Sequence, residues 1–206
     1  AADTPAQPTA ADPSGWRFET KQVQAGHTPD AATGARAIPI YQTTSYVFES
    51  AEQAAARFAL SDLGPIYTRL TNPTNDIVEQ RIAALEGGVG ALLTSSGQAA
   101  TTLALVTLGG AGDNIVASPS LYGGTTNLLT HTLPRLGIEA RFVDEPGDPA
   151  AWAALADERT VAFFGESIPN PRGDILDIEA IAAAAHELGI PLVVDNTVAS
   201  PFLTRP

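Results

Sequence analysis

From Ala91 onward the chain repeats one pattern: a short apolar run, a loop of small and polar residues, a helical stretch, then a glycine. The apolar runs are 91–94, 114–117, 138–143, 161–165 and 192–194. Helical segments are expected at 98–108, 124–133, 150–156 and 178–188, the last capped by Asp177, with Ile178, Ile181, Ala182, Ala185 and Leu188 facing inward. Strands that are apolar at every position suit a parallel sheet buried on both faces. Regular strand–helix alternation therefore predicts an α/β fold, a mainly parallel sheet covered by helices on both faces.

The residues before this pattern read differently. Residues 1–15 are Ala, Pro, Asp and Thr with little to bury, and a disordered tail is expected there. A short helix is expected over 16–26, and residues 38–48 should be extended. Ser50-Ala51-Glu52-Gln53 matches a capping box, which predicts a helix from Ala51 to about Leu60. Asn72-Pro73 then starts a helix with Ile77, Val78, Arg81, Ile82 and Leu85 as its stripe and Gly87-Gly88 as its stop.

Composition excludes several classes. A formal net charge of −12 disfavours nucleic acid and anionic membrane surfaces. The absence of cysteine rules out a disulfide framework and a thiolate metal site. No run approaches the roughly 20 apolar residues of a membrane span, and the first residues lack the basic and apolar regions of a signal peptide. A cytoplasmic location is expected. The chain contains no methionine and ends at Pro206 in an apparent loop, so it is read as part of a longer polypeptide.

In a parallel sheet the loops after the strands gather at one edge, where ligands bind. Ser95-Ser96-Gly97-Gln98 opens a helix, so its backbone N–H groups suit an anion, although Ser96 also suits ordinary capping. Tyr122, in Leu121-Tyr122-Gly123-Gly124-Thr125, offers a flat ring for stacking or a half-buried turn aromatic. Asn170 follows Glu166-Ser167-Ile168-Pro169 and carries donor and acceptor groups, or simply marks an Asn-Pro turn. Asp195, before Asn196 and Thr197, fits either a turn carboxylate or a carboxylate held against a protonated pyridine ring. Together an anion cradle, a ring, an amide and a carboxylate suit a phosphorylated pyridine.

Four motifs in order carry a resemblance: Tyr67-Thr68-Arg69 with Asn72-Pro73-Thr74, Ser96-Gly97-Gln98-Ala99-Ala100, Leu121-Tyr122-Gly123-Gly124-Thr125 and Val194-Asp195-Asn196-Thr197. From about Trp16 to Pro206 the chain resembles the Cys/Met-metabolism family of pyridoxal-phosphate-dependent enzymes, of fold type I. Residues 40–48 and 170–178 are most similar to members that act on O-acetylhomoserine. The resemblance implies pyridoxal 5'-phosphate as cofactor. Ser96, Gly97 and Gln98 would bind its phosphate, Tyr122 would stack on the ring, and Asp195 would pair with the ring nitrogen. Thr197 would pack near the ring, and Asn170 near the ring oxygen and the substrate carboxylate. Tyr67 and Arg69 would reach the phosphate held by a neighbouring subunit, in a homodimer or homotetramer. Residues 16–65 would then be an N-terminal arm against that neighbour, and 66–206 the first part of a large cofactor-binding domain.

The implied reaction is a γ-replacement converting O-acetyl-L-homoserine and sulfide to L-homocysteine and acetate in methionine biosynthesis. Tyr122 and Asp195 are the catalytic candidates, and no metal is expected. The lysine that such enzymes bond to the cofactor is not among these motifs; Lys21 is the single lysine, and the cofactor's lysine is expected after Pro206. Cystathionine γ-synthesis and sulfhydrylation of O-succinylhomoserine are the alternatives, followed by a non-catalytic assembly module.

Overall fold

The computed structural model describes residues 12–206. The expected tail therefore lies mostly outside the described residues; its last part forms a turn, closed by Trp16 N–H on the Pro13 carbonyl at 3.0 Å. The chain divides into two compact units, one running to Leu93 and the other from Thr94 to Pro206.

The first unit holds three helices: α1 (Phe18–Gln24), α2 (Ala51–Phe58) and α3 (Pro73–Glu86). Ser50 accepts from the Gln53 N–H at 3.1 Å, as the capping box requires, but Gln53 reaches back to the Glu49 N–H rather than to Ser50. Asn72 caps α3 by accepting from the Thr74 N–H at 2.9 Å, and Gly87 ends it at a φ of +75°. Of the expected α3 stripe only Leu85 is buried, whereas Val78 and Ile82 are exposed. Residues 38–48 run without regular structure apart from a bridge between Ser45 and Tyr67.

The second unit contains a four-stranded parallel sheet in the order β2-β1-β3-β4. Its strands are β1 (Asn114–Ala117), β2 (Glu139–Phe142), β3 (Thr160–Glu166) and β4 (Leu192–Asp195). Its helices are α4 (Gly97–Leu108), α5 (Gly123–Asn127), α6 (Pro149–Leu155), α7 (Ile178–Glu187) and α8 (Ser200–Leu203). Alternation along the strands makes two cores. Ile115, Ala117 and Phe164 pack with Leu105, Leu129, Leu133 and Ile138 on one face. Val116 and Phe163 pack with Val143, Trp152, Ile181 and Ala185 on the other. The doubly covered parallel sheet is thus present as expected.

Four further features depart from expectation. Residues 91–94 form no strand, and Leu92 and Leu93 are exposed. A strand exists only through a partner's ladder, and no described strand offers one there. Leu192, Val193 and Val194 are only half-buried, because among the described residues β4 pairs with β3 alone and stands at the sheet's edge. The helix expected over 124–133 is α5 followed by a π-helical turn, Leu128–Thr132, and a 3₁₀ turn, Leu133–Leu136. Pro134 lacks the N–H that an α-helix would use at this point. Leu188, expected inside, ends α7 with 48% of its surface exposed. Among the described residues no helix is long and apolar enough to cross a membrane.

Candidate active site

The order β2-β1-β3-β4 means that the chain leaves β1 to one side and later returns to β3 on the other. Such a reversal leaves a crevice at the strands' carboxyl ends. A cavity of about 340 Å³ lies there, lined by Ser96, Gly97, Gln98, Tyr122, Asn170, Asp195 and Thr197, all singled out in the sequence, together with Glu166, Ile168 and Val198.

The N-terminus of α4 supplies one wall. Ser96 is its cap and accepts the Ala99 N–H at 3.1 Å. The backbone N–H groups of Gly97 and Gln98 have no acceptor among the described residues. A Cβ at Gly97 would meet nothing within 4 Å, so the space before these donors is open. Two unpaired N–H groups at the positive end of a twelve-residue helix form an anion cradle. The Gln98 side chain is held aside by donating to Thr125 Oγ1 at 3.1 Å.

Tyr122 caps α5 and exposes half of its surface at the cavity. Gly124 makes room for it: a Cβ there would lie 2.7 Å from Tyr122 Cε1 and 3.4 Å from Gln98 Cδ. Asp195 ends β4. Its Oδ1 accepts the Thr197 N–H at 3.0 Å and also the Thr197 hydroxyl. Its Oδ2 has no partner among the described residues, which leaves one carboxylate oxygen for a ligand. The next residue, Asn196, faces inward to the chain: it accepts from Ser167 Oγ at 2.8 Å and donates to the Thr204 carbonyl at 2.7 Å.

Glu166 was not assigned a role from the sequence. It ends β3, pairs in register with Asp195 and is 6% exposed. Its Oε1 accepts the Tyr122 N–H at 2.7 Å. Burial pushes its carboxyl up from the ordinary range, the Tyr122 N–H pulls it back, and the Asp195 carboxylate pushes it up again.

Tyr67 and Arg69 belong to the first unit. The Arg69 guanidinium carbon lies 5.0 Å from the centre of the Tyr67 ring. Their segment is tied to residues 41–45 by Thr68 N–H on the Thr44 carbonyl at 2.9 Å and by Asn72 Nδ2 on the Tyr41 carbonyl at 2.9 Å. Lys21 lies in α1 of the same unit.

Residues 19–206 match the family model described as Cys/Met metabolism PLP-dependent enzyme. The chain belongs to this family. The O-acetyl-L-homoserine sulfhydrylase of Corynebacterium glutamicum is 57% identical over 93% of this chain and 44% of its own length. O-acetyl-L-homoserine sulfhydrylase 1 of Thermus thermophilus is 55% identical over 92% of this chain and 45% of its own. A solved structure from Campylobacter jejuni carries N'-pyridoxyl-lysine-5'-monophosphate. It superposes with a TM-score of 0.89 at 44% identity, covering 93% of this chain and 47% of that one. The cystathionine gamma-lyase of Lactobacillus plantarum gives 0.83 at 34% identity, over 92% of this chain and 47% of that one. The chain spans a little under half the length of the curated relatives it matches. For a PLP-dependent family the cavity's own groups are suitable: free N–H donors for a phosphate, a flat ring beside Gly124, and a carboxylate oxygen without a partner.

Proposed function

We propose that the intact protein is a PLP-dependent transferase of methionine biosynthesis acting in the cytoplasm, which converts O-acetyl-L-homoserine and sulfide to L-homocysteine and acetate. The observation that carries this is the single cavity holding the α4 N–H donors, Tyr122 and the half-free Asp195 carboxylate together. The choice of substrate rests on identity, which is 50–57% to relatives called sulfhydrylases or homocysteine synthases, against 34% to a cystathionine gamma-lyase.

When bound, pyridoxal phosphate supplies a covalent handle for the amino acid and an electron sink for the charge released at Cα. The chain's own residues do the rest. Gly97 and Gln98 N–H groups bind the phosphate, with Ser96 fixing the helix end behind them. Tyr122, half exposed at the cavity, would offer its ring to the cofactor's ring. Asp195 Oδ2 would hold a proton on the ring nitrogen, while Thr197 keeps Oδ1 and so fixes the carboxylate's orientation. Asn170 offers its amide to the ring oxygen and the substrate carboxylate. Tyr67 and Arg69 serve the phosphate of a neighbouring subunit, in a homodimer or a tetramer of such dimers. On this reading the cofactor's lysine would come from outside these residues, since Lys21 lies in α1 and not at a strand end.

The test is product analysis of the intact protein given O-acetylhomoserine and sulfide, with O-succinylhomoserine and cysteine in parallel. Homocysteine from the first pair supports the proposal. Cystathionine from the second pair at a higher rate overturns the substrate choice.

A further inference from the structure

Glu166 is a buried carboxylate with no salt-bridge partner among the described residues. It stands between two cavities. One is the candidate active site, and the other, of about 220 Å³, is shared with Ser118, Ser120 and Asp174. A buried ionised group is costly unless hydrogen bonds or an opposite charge compensate it. One such hydrogen bond is in place: the Tyr122 N–H donates to Oε1 at 2.7 Å. Glu166 thereby ties the loop that presents Tyr122 to the end of β3. Among the described residues no opposite charge is paired with it. Arg172, on the loop after β3, donates to Ser120 Oγ at 3.4 Å, and that hydroxyl in turn donates to Asp174 at 2.8 Å. The titratable residues that share a cavity with Glu166 are Asp195 and Tyr122 on one side and Asp174 on the other, where Arg172 bonds to the neighbouring Ser120.

Glu166 and Asp195 are register partners on adjacent strands, so their side chains leave the same face of the sheet, with strands roughly 5 Å apart. Both line the cavity. Two carboxylates held side by side without a cation favour a ligand that brings one.

We propose that Glu166 is a positioning residue that fixes Tyr122 and whose charge, beside Asp195, raises the proton affinity of the nitrogen heterocycle bound in this cavity. The inference rests on the pyridoxal-phosphate reading and adds a second carboxylate to it. On that reading Asp195 would face the ring nitrogen, and Glu166, its register partner, would add a second negative charge beside it.

The experiment uses the intact protein and pyridoxine 5'-phosphate, an alcohol that cannot bond covalently to a lysine. The pH dependence of the bound ring's ultraviolet absorbance gives the midpoint of ring-nitrogen deprotonation. Glu166→Gln keeps an oxygen to accept the Tyr122 N–H but removes the charge. Its midpoint should fall by about one pH unit, a tenfold loss of proton affinity. Glu166→Asp keeps the charge on a shorter arm; it should hold most of the midpoint while the Tyr122 amide exchanges its hydrogen faster. A midpoint in Glu166→Gln equal to that of the unmodified protein would reduce Glu166 to a structural tie and overturn the proposal. Failure of the unmodified protein to bind the probe would instead remove the cofactor reading, and this inference with it.

Discussion

Replacing Asp195 by Asn changes one atom and one charge at the cavity. Thr197 donates its backbone N–H at 3.0 Å and its hydroxyl to Asp195 Oδ1, and an Asn Oδ1 accepts both equally well. The local turn should survive. The difference falls on the other atom, where an oxygen without a protein partner becomes an amide that only donates. A protonated ring nitrogen then has no acceptor, and the ring is left neutral. A unit charge about 4 Å from a cation is worth roughly 4 kcal/mol at an effective dielectric near 20. Part of that is already present before reaction, so a loss of about 2.7 kcal/mol in the transition state is expected, roughly 100-fold in kcat. The assay is steady-state homocysteine formation from O-acetylhomoserine and sulfide, with cofactor occupancy fixed beforehand by absorbance. Turnover near normal at full occupancy would refute the reasoning and return Asp195 to the status of a strand-end turn residue.

Gly124→Ala should push the Tyr122 ring, since the new methyl would sit 2.7 Å from Cε1; cofactor affinity should fall about tenfold, measured by titration of the cofactor-free protein. Trp152 is fully buried, 5.4 Å from the Phe163 ring, and donates Nε1–H to the Pro146 carbonyl at 3.0 Å, so Trp152→Ala should cost about 3–5 kcal/mol in urea unfolding. Asp157 is lowered to about 2 by Arg141, by Asn114 and by the Arg159 N–H. Its contribution to stability is present above its unfolded value near 4 and is lost as pH falls through about 2, so Asp157→Asn should flatten the acid limb of the unfolding midpoint. Glu166 has the opposite sign: its carboxyl is raised, so its ionisation costs stability as pH rises above the unfolded value of 4.5, and Glu166→Gln should remove that loss in the same measurement.

Local chemistry was legible without any fold. Ser50, Asn72, Ser96 and Asp177 cap the helices that follow them, because a capping side chain needs only the N–H groups two or three residues on. The alternation of apolar runs and helical stretches was enough for a parallel sheet with two cores, because strand burial on both faces leaves its mark in every residue of the run. Ser96, Gly97, Gln98, Tyr122, Asn170, Asp195 and Thr197 could be grouped because a parallel sheet sends all its following loops to one edge.

Pairing is what the sequence left open. Residues 91–94 are as apolar as any strand, yet remain irregular, since a ladder needs a neighbour that periodicity does not name. Leu192, Val193 and Val194 read as a strand covered on both faces, yet they are half-buried in a strand that pairs only with β3 among the described residues. Glu166 shows the limit most clearly. In sequence it is one more carboxylate where a strand meets a loop; its burial, its bond to Tyr122 forty-four residues away and its place beside Asp195 exist only once β3 lies between β1 and β4. Neighbouring residues set caps and periods, but the partner of a buried charge is chosen by the strand order, and that order is a property of the whole sheet.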